Sequence, residues 1–397
     1  MAYTKKNIKK TGKAGTSKEL DENGEEIVVV REKMDSKSMF KNIVSQLGNE
    51  YATILSEGSS PADITEYIDT GSYVFNLAVS GDMFKGQPNN LVTCIESDPS
   101  CGKTFLNLGI LKRFLDKDSE NRIVIFDSEA AISSKMLLER GFDLERVLYI
   151  SVNTAEEFGT NIMKIITYQL ELPKKERMKL MFCLDSLGML TSAKLKEDMT
   201  EGKDVADMTR AKKLKGVFNN ITVNLGRLGI PMLVANHVYA VIGAFIPTKT
   251  GAGGSGPGFS SSTIISLTKA QSKDSDGSKN GAIVTATVKK GRLTREGSKV
   301  KMRILFDKGM DRYYGLLELA EESGMIKKVG NKFEFPDGTT AFENRVISNP
   351  EIFFTEEFLK ELNKRVGPDF LYGVLSALEE TKDVENDEEH VEENVDA

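Results

Sequence analysis

The stretch "SDPSCGKT", residues 97–104, decides the fold. It differs by one residue from the phosphate-loop pattern Gly-x-x-x-x-Gly-Lys-[Ser/Thr], with Ser97 standing where the first glycine belongs. Its surroundings strengthen the match. The apolar run "LVTCI" (91–95) precedes it and the amphipathic "TFLNLGILKRFL" (104–115) follows. A strand, a tight loop and a helix in that order aim backbone N–H groups and the positive end of the helix at one pocket. The pattern implies that Ser97, Asp98, Pro99, Ser100, Cys101, Gly102 and Phe105 surround a bound nucleotide. Lys103 then reaches its outer phosphates and the Thr104 hydroxyl holds Mg²⁺. Serine at position 97 removes no donor, since the cradle is main chain. Its expected cost is ~1 kcal/mol of backbone strain.

Outward from this loop the chain alternates. "RIVIFD" (122–127), "RVLYIS" (146–151), "KLMFCLD" (179–185) and "PMLVAN" (231–236) are short apolar runs, and helical patterns lie between them at about 132–140, 154–171 and 207–228. Strands alternating with helices predict an α/β core with a mostly parallel sheet flanked by helices. After residue 262, "STIISLTKA", "GAIVTATVKK" and "KVKMRILFD" follow closely, with turn signals at Asp276-Gly277 and Asn280-Gly281, and predict an antiparallel extension of that sheet. From residue 312 a small C-terminal α/β module is expected: "GLLELAEESG", a hairpin "NKFEFPDGTTAF", then helices near 355–366 and 369–380.

Two acids follow predicted strands. Asp185 closes "LMFCLD", at the sheet edge where the loop lies, and is placed to support Mg²⁺; taken alone it reads equally as a strand end. Glu129 in "IFDSEAA" lies just past another strand end and is placed to polarise a water, although isolated acids there are commonly just solvated.

The whole chain sets bounds. With 397 residues, 40% hydrophobic and 28% charged, it is long enough for one large core with appendages. A net charge of −6 means that nucleic-acid binding must rest on local patches. Three scattered cysteines, Cys94, Cys101 and Cys183, suit a reducing cytosol. The N-terminus has no apolar core of a secretory signal, and no apolar run approaches the ~20 residues of a membrane span. Lysines crowd residues 5–18, and ten acids face one lysine in residues 379–397. Both ends read as disordered arms that either aid solubility or, for the basic one, touch nucleic acid or a partner. The expected division is a flexible basic arm (1–34), a helical oligomerisation segment (35–67), the core (68–311), the C-terminal module (312–378) and an acidic disordered tail (379–397).

Taken in order, these elements resemble the RecA-type recombinases, and most closely their phage UvsX branch, from "IDTGSYVFNLAVSGD" (68–82) to "GLLELAEESGMI" (315–326). "FDSEAAISSKMLLERGFDLERVLYI", "CLDSLGML", "DVADMTRAKKLK" and "VANHVY" followed by "GAGGSGPG" carry the likeness. The resemblance implies a RecA-type P-loop core and an ATP- and Mg²⁺-dependent enzyme. Such an enzyme forms filaments on single-stranded DNA and exchanges strands with a homologous duplex, in a bacterial host cytoplasm if of phage origin. Single-strand-binding and mediator proteins are further implied partners.

Residue by residue, the likeness makes Glu129 the activator of water and His237 the sensor of the γ-phosphate, although a lone histidine after a strand is more often structural. Lys290 and Arg292 of "VKKGRL" match the cation pair that a subunit inserts into its neighbour's ATP site. DNA-binding loops are expected near 192–206 and 238–258. Gly253 and Gly254 belong to the second, and Phe245 there either stacks on bases or anchors the loop. Arg210 and Lys213 contact phosphates or form a solvated face. Met136 stands where relatives usually offer tyrosine to the adenine. A ring-forming helicase motor, or an ATP-gated DNA-binding protein without turnover, are the alternatives.

Overall fold

The computed structural model describes residues 15–20, 26–31, 35–203, 209–240, 249–251, 258, 260–269, 281–305 and 309–372. The chain divides into two compact units, Met1–Ser60 and Pro61–Ala397. In the first, β1 (Gly15–Leu20) and β2 (Glu26–Arg31) pair antiparallel, with Gly15 opposite Arg31. Both strands fall within the basic arm expected over 1–34, of which residues 1–14, 21–25 and 32–34 lie outside the described residues. The β-branched run Val28-Val29-Val30 favours a paired extended chain. Helix α1 (Ser36–Leu47) begins where Asp35 accepts a 2.8 Å hydrogen bond from Ser38 N and ends at Gly48, with φ 58°.

In the second unit, β3 (Tyr67–Ile68) pairs with β4 (Gln87–Pro88), and α2 (Tyr73–Ser80) lies buried between them in sequence. The large sheet then begins. Its early strands are β5 (Val92–Ser97), β6 (Arg122–Asp127), β7 (Val147–Ser151), β8 (Leu180–Asp185) and β9 (Met232–Ala240). The helices between them are α3 (Lys103–Lys117), α4 (Ser134–Glu139), α5 (Ala155–Glu171), α6 (Ala193–Thr200) and α7 (Arg210–Leu228). Next come β10 (Lys249–Gly251), β11 (Thr263–Lys269), β12 (Gly281–Gly291), β13 (Lys299–Leu305) and β14 (Gly309–Met310).

The strand order is β14-β13-β12-β11-β5-β9-β8-β6-β7, with β10 paired to β9. From β11 to β7 neighbours run parallel, and β12 to β14 extend the sheet antiparallel, as the sequence predicts. β5 and β8 are buried at every residue because helices cover both faces. Ile95 belongs to the core beneath α2 and α3, while Val92 and Cys94 belong to the core beneath α5 and α7. Phe126, Phe158, Phe182 and Phe218 fill that second core, each contributing roughly 1.5–3 kcal/mol by burial.

The chain leaves β5 through α3 and passes two strand positions before forming β6. Later β8 and β9 fill that gap. The carboxyl ends of β5, β9, β8 and β6 therefore line up in one crevice, where open α/β sheets place their ligands.

The C-terminal strands β15 (Lys327–Val329), β16 (Lys332–Glu334) and β17 (Thr340–Phe342) form a separate three-stranded sheet beside α8 (Leu316–Glu322), α9 (Glu343–Ser348), α10 (Pro350–Phe353) and α11 (Glu356–Phe370). α11 runs past the end predicted at 366 and carries Pro368 in its last turn. Phe335, Phe353 and Phe354 join the same hydrophobic core as α2. Asn363 accepts a 2.8 Å bond from Met83 N, and Arg295 N donates to Phe370 O at 2.7 Å. These contacts weld the module to the core.

Candidate functional site

Ser97 ends strand β5 and lies opposite His237 on β9. The strain expected at Ser97 lies elsewhere: the left-handed residues of the loop are Ser100 (φ 61°) and Gly102 (φ 89°). A position in a strand accepts any β-compatible side chain, so the missing glycine leaves the loop intact. Gly102 has no such freedom, since an added Cβ would lie 2.7 Å from the Ile304 Cδ1 as well as at positive φ.

Lys103 opens α3 and is buried. Its ammonium donates to Ser97 Oγ (3.1 Å), Ser97 O (3.2 Å) and Asp98 O (3.3 Å) and lies 3.5 Å from His237 Nδ1. Burial holds its pKa below the usual lysine range, against the pull of neighbouring Cys101, Asp185 and Glu129. His237 Nε2 meets Glu129 Oε1 at 2.8 Å. With Nδ1 facing an ammonium, the network assigns the ring proton to Nε2, which then donates to the carboxylate. Burial pushes Glu129 up, but hydrogen bonds from Ser186 and His237 outweigh it and hold the carboxyl below its ordinary value.

Asp185 sits one strand over, opposite Asp127 in register. It is buried and pushed up to about 6 by desolvation, an effect that the carboxylates of Glu129 and Asp127 reinforce and the Thr104 hydroxyl opposes. Its Oδ2 finds no hydrogen-bond partner among the described residues. A buried, orphaned carboxylate oxygen near a phosphate-loop threonine fits a hard cation that takes its other ligands from phosphates and water.

The sequence reading missed the residues that orient this cluster. Asp127 Oδ1 accepts from Glu129 N at 2.8 Å, and its Oδ2 accepts from Ile132 N and the Tyr149 hydroxyl, both at 3.0 Å. Ser128 and Ser186 bridge the two strand ends. Their signal was present in "FDSE" and "CLDS", polar residues flanking each acid at a buried strand end.

Other predicted residues lie elsewhere. Met136 is half-buried on α4, its carbonyl accepting from Arg140 Nη1 at 3.1 Å, and Arg140 lies 4.6 Å over the Phe105 ring. Lys290 is opposite Ile264, and Ile264 is opposite Cys94, so Lys290 and Arg292 stand toward the other edge of the sheet from Ser97. Lys290 Nζ donates to Gly258 O at 2.8 Å, and Arg292 is exposed.

Arg210 donates to the carbonyls of Leu187 (3.1 Å) and Gly188 (2.8 Å), and so braces the turn after β8; Lys213 lies 3.8 Å from Glu156. Within the loop expected near 192–206, residues 193–200 are helical, because "AKLKEDMT" is rich in helix formers and Ser192 caps it through Leu195 N at 3.0 Å. In the second loop, β10 folds back on β9 with Gly251 opposite Val238. Phe245, Gly253 and Gly254 lie outside the described residues, as does the acidic tail.

Among the described residues no helix is long and apolar enough to cross a membrane. Comparison with known proteins gives one family: the RecA N-terminal domain matches residues 34–311. The chain is 32% identical over 270 residues to the "Recombination and repair protein" of Enterobacteria phage T4, covering 67% of each chain. It is 23% identical over 308 residues to "Protein RecA" of Mesomycoplasma hyopneumoniae, covering 77% of this chain and 86% of that one. With "Protein RecA" of a Synechococcus the identity is 24% over 333 residues, covering 82% and 84%. A strand-end cluster on a RecA-like sheet, matched over most of its length by that family's model, makes this chain a member of the RecA family.

Proposed function

We propose a division of labour among the strand-end residues of this RecA-family chain. The protein is an ATP-dependent DNA recombinase: it binds nucleotide and DNA, assembles into filaments and exchanges strands. Lys103 and the main chain of residues 97–105 hold the phosphates, and Thr104 and Asp185 hold Mg²⁺. Bound there, Mg²⁺ would supply charge neutralisation to the phosphates. Glu129 takes the proton of the attacking water, and His237 responds to the γ-phosphate from within β9. Lys290 and Arg292 serve the neighbouring protomer's site, and Met136 covers the base. The observation that carries this reading is that His237, on β9, lies 3.5 Å from Lys103 at the start of α3 and 2.8 Å from Glu129 just past β6.

Its test is ATP hydrolysis with and without single-stranded DNA, using Lys103→Ala as the blank. Strong stimulation by DNA, lost in the blank, is the expected result. Turnover indifferent to DNA would refute the reading. Single-strand-binding and mediator proteins are the partners we expect to load the filament, in the host cytoplasm.

The link from ATP to DNA runs along β9. Its outer half pairs with β10, where a Cβ on Gly251 would lie 2.8 Å from both Asn236 Nδ2 and Glu96 Oε2. Glu96 is buried and tied to Lys289 at 3.1 Å, so it has little room to yield. Gly251→Ala is therefore expected to lower DNA stimulation several-fold while DNA-free turnover stays within about twofold of wild type. Phosphate release measured across a DNA titration checks this, and equal loss of both rates would place the damage in the ATP site instead.

A further inference from the structure

We infer that Ser186 is a positioning residue for hydrolysis: its hydroxyl fixes the rotamer of Glu129 so that one carboxylate oxygen is taken by protein donors and the other is presented to the attacking water. This rests on Glu129 being the base, as proposed above.

The geometry is specific to one atom. Ser186 Oγ donates to Glu129 Oε1, and His237 Nε2 reaches the same Oε1 at 2.8 Å. No protein group among the described residues bonds Oε2. Two donors on one oxygen, one just past the end of β8 and one within β9, fix the carboxylate and leave the second oxygen to act.

Ser186 is itself immobilised. It is fully buried, its backbone N–H donates to Ser128 Oγ at 2.9 Å, and its carbonyl accepts from the same hydroxyl at 2.6 Å. Ser128 N in turn donates to Asp185 O at 2.8 Å. Glu129 is held from its own side, where its N–H is bonded to Asp127 Oδ1 at 2.8 Å. The ends of β6 and β8 are thus tied by a serine pair, and the residue after the Asp185 carboxylate is the one that steers Glu129. Base and metal-site carboxylate are set by one unit. Of the two donors on Oε1, His237 directly precedes the part of β9 that pairs with β10, whereas Ser186 follows the end of β8 and is tied to Ser128. The serine gives the base a fixed reference that does not depend on that arm.

The experiment compares wild type, Ser186→Ala, Ser186→Thr and Glu129→Gln in DNA-stimulated ATP hydrolysis across pH. Nucleotide and single-stranded-DNA binding are measured as folding controls. In Ser186→Ala, kcat is expected to fall on the order of 10-fold to 100-fold from misplacement of the base, with KM within about twofold. The acid limb of the kcat profile moves to higher pH, because a carboxylate that loses a donor protonates more easily. Ser186→Thr, which keeps the hydroxyl, restores the limb.

If Glu129→Gln is inactive while Ser186→Ala matches wild type in kcat and acid limb, the positioning role is refuted and the base stands. If Glu129→Gln turns over normally, the base assignment itself fails. A fall in kcat with an unmoved acid limb also overturns the proposal, since it marks a packing defect. Should Ser186→Ala fail the binding controls, Ser186→Cys carries the same readout, with near-equal volume and a weak S–H donor.

Discussion

Glu129→Gln is expected to reduce DNA-stimulated ATP hydrolysis by about 10²–10⁴-fold, the usual worth of a general base, while ATP-dependent binding to single-stranded DNA persists. The side chain occupies nearly the same volume, so the packing at the end of β6 is unchanged. A carboxamide oxygen can still accept from His237 and Ser186, the two donors that meet on Oε1. What it cannot do is receive a proton. The separation of binding from turnover is the informative part: filaments on DNA with ATP should outlast those of wild type, because hydrolysis is what loosens them. Phosphate release and DNA binding measured on one preparation decide the matter. Turnover within a few-fold of wild type would remove Glu129 from the reaction and leave the ATP-gated alternative in place.

The second large effect concerns Asp185, where stability and function pull in opposite directions. Its carboxyl is pushed up to about 6 in the folded chain by desolvation and by Glu129 and Asp127, against an ordinary value near 3.8. Between those values the folded protein binds the proton that the unfolded chain has released. The contribution of this group to stability therefore falls as pH rises from about 4 to about 6 and then stays low. The shift corresponds to a penalty on the order of 2–3 kcal/mol at neutral pH. Asp185→Asn is expected to raise the thermal midpoint of the nucleotide-free protein by several degrees at pH 7 and to leave it nearly unchanged at pH 4. The same variant should need far more Mg²⁺ for ATP hydrolysis. Thermal melts at the two pH values, with and without Mg²⁺, check both halves. A variant no more stable at pH 7 than at pH 4, relative to wild type, would mean that Oδ2 is not the strained buried charge described above.

Much of the architecture was legible in the residues because it rests on local pattern. The runs "LVTCI", "RIVIFD" and "KLMFCLD" are short and apolar throughout, as strands buried on both faces must be, and the amphipathic segments between them had one helical reading. "SDPSCGKT" carried its meaning by standing between a strand and a helix. Other readings failed where the local signal was weak or overruled. "EIVVVR" was passed over inside a charged arm, and "AKLKEDMT", within the DNA-binding loop expected near 192–206, is helical as its composition favours. The ~1 kcal/mol of strain assigned to Ser97 was misplaced, because a pattern gives the residue and not its φ. Ser100 and Gly102 take the left-handed conformations instead.

What the sequence by itself determined about this protein is the class of fold, the order of its strands and helices, and the candidates Lys103, Thr104, Glu129, Asp185 and His237. Each is encoded within a few residues of a strand end. Only the tertiary structure decided which of them meet. Ser186 and Glu129 are 57 residues apart, and His237 and Glu129 are 108 apart. Their contact follows from β8 and β9 filling the gap between β5 and β6. The same strand order put Lys290 toward the far edge and turned Arg210 onto the backbone after β8. The physical reason is that periodicity reports which face of an element is buried, whereas strand order and register, set by long-range pairing, choose the neighbours across it.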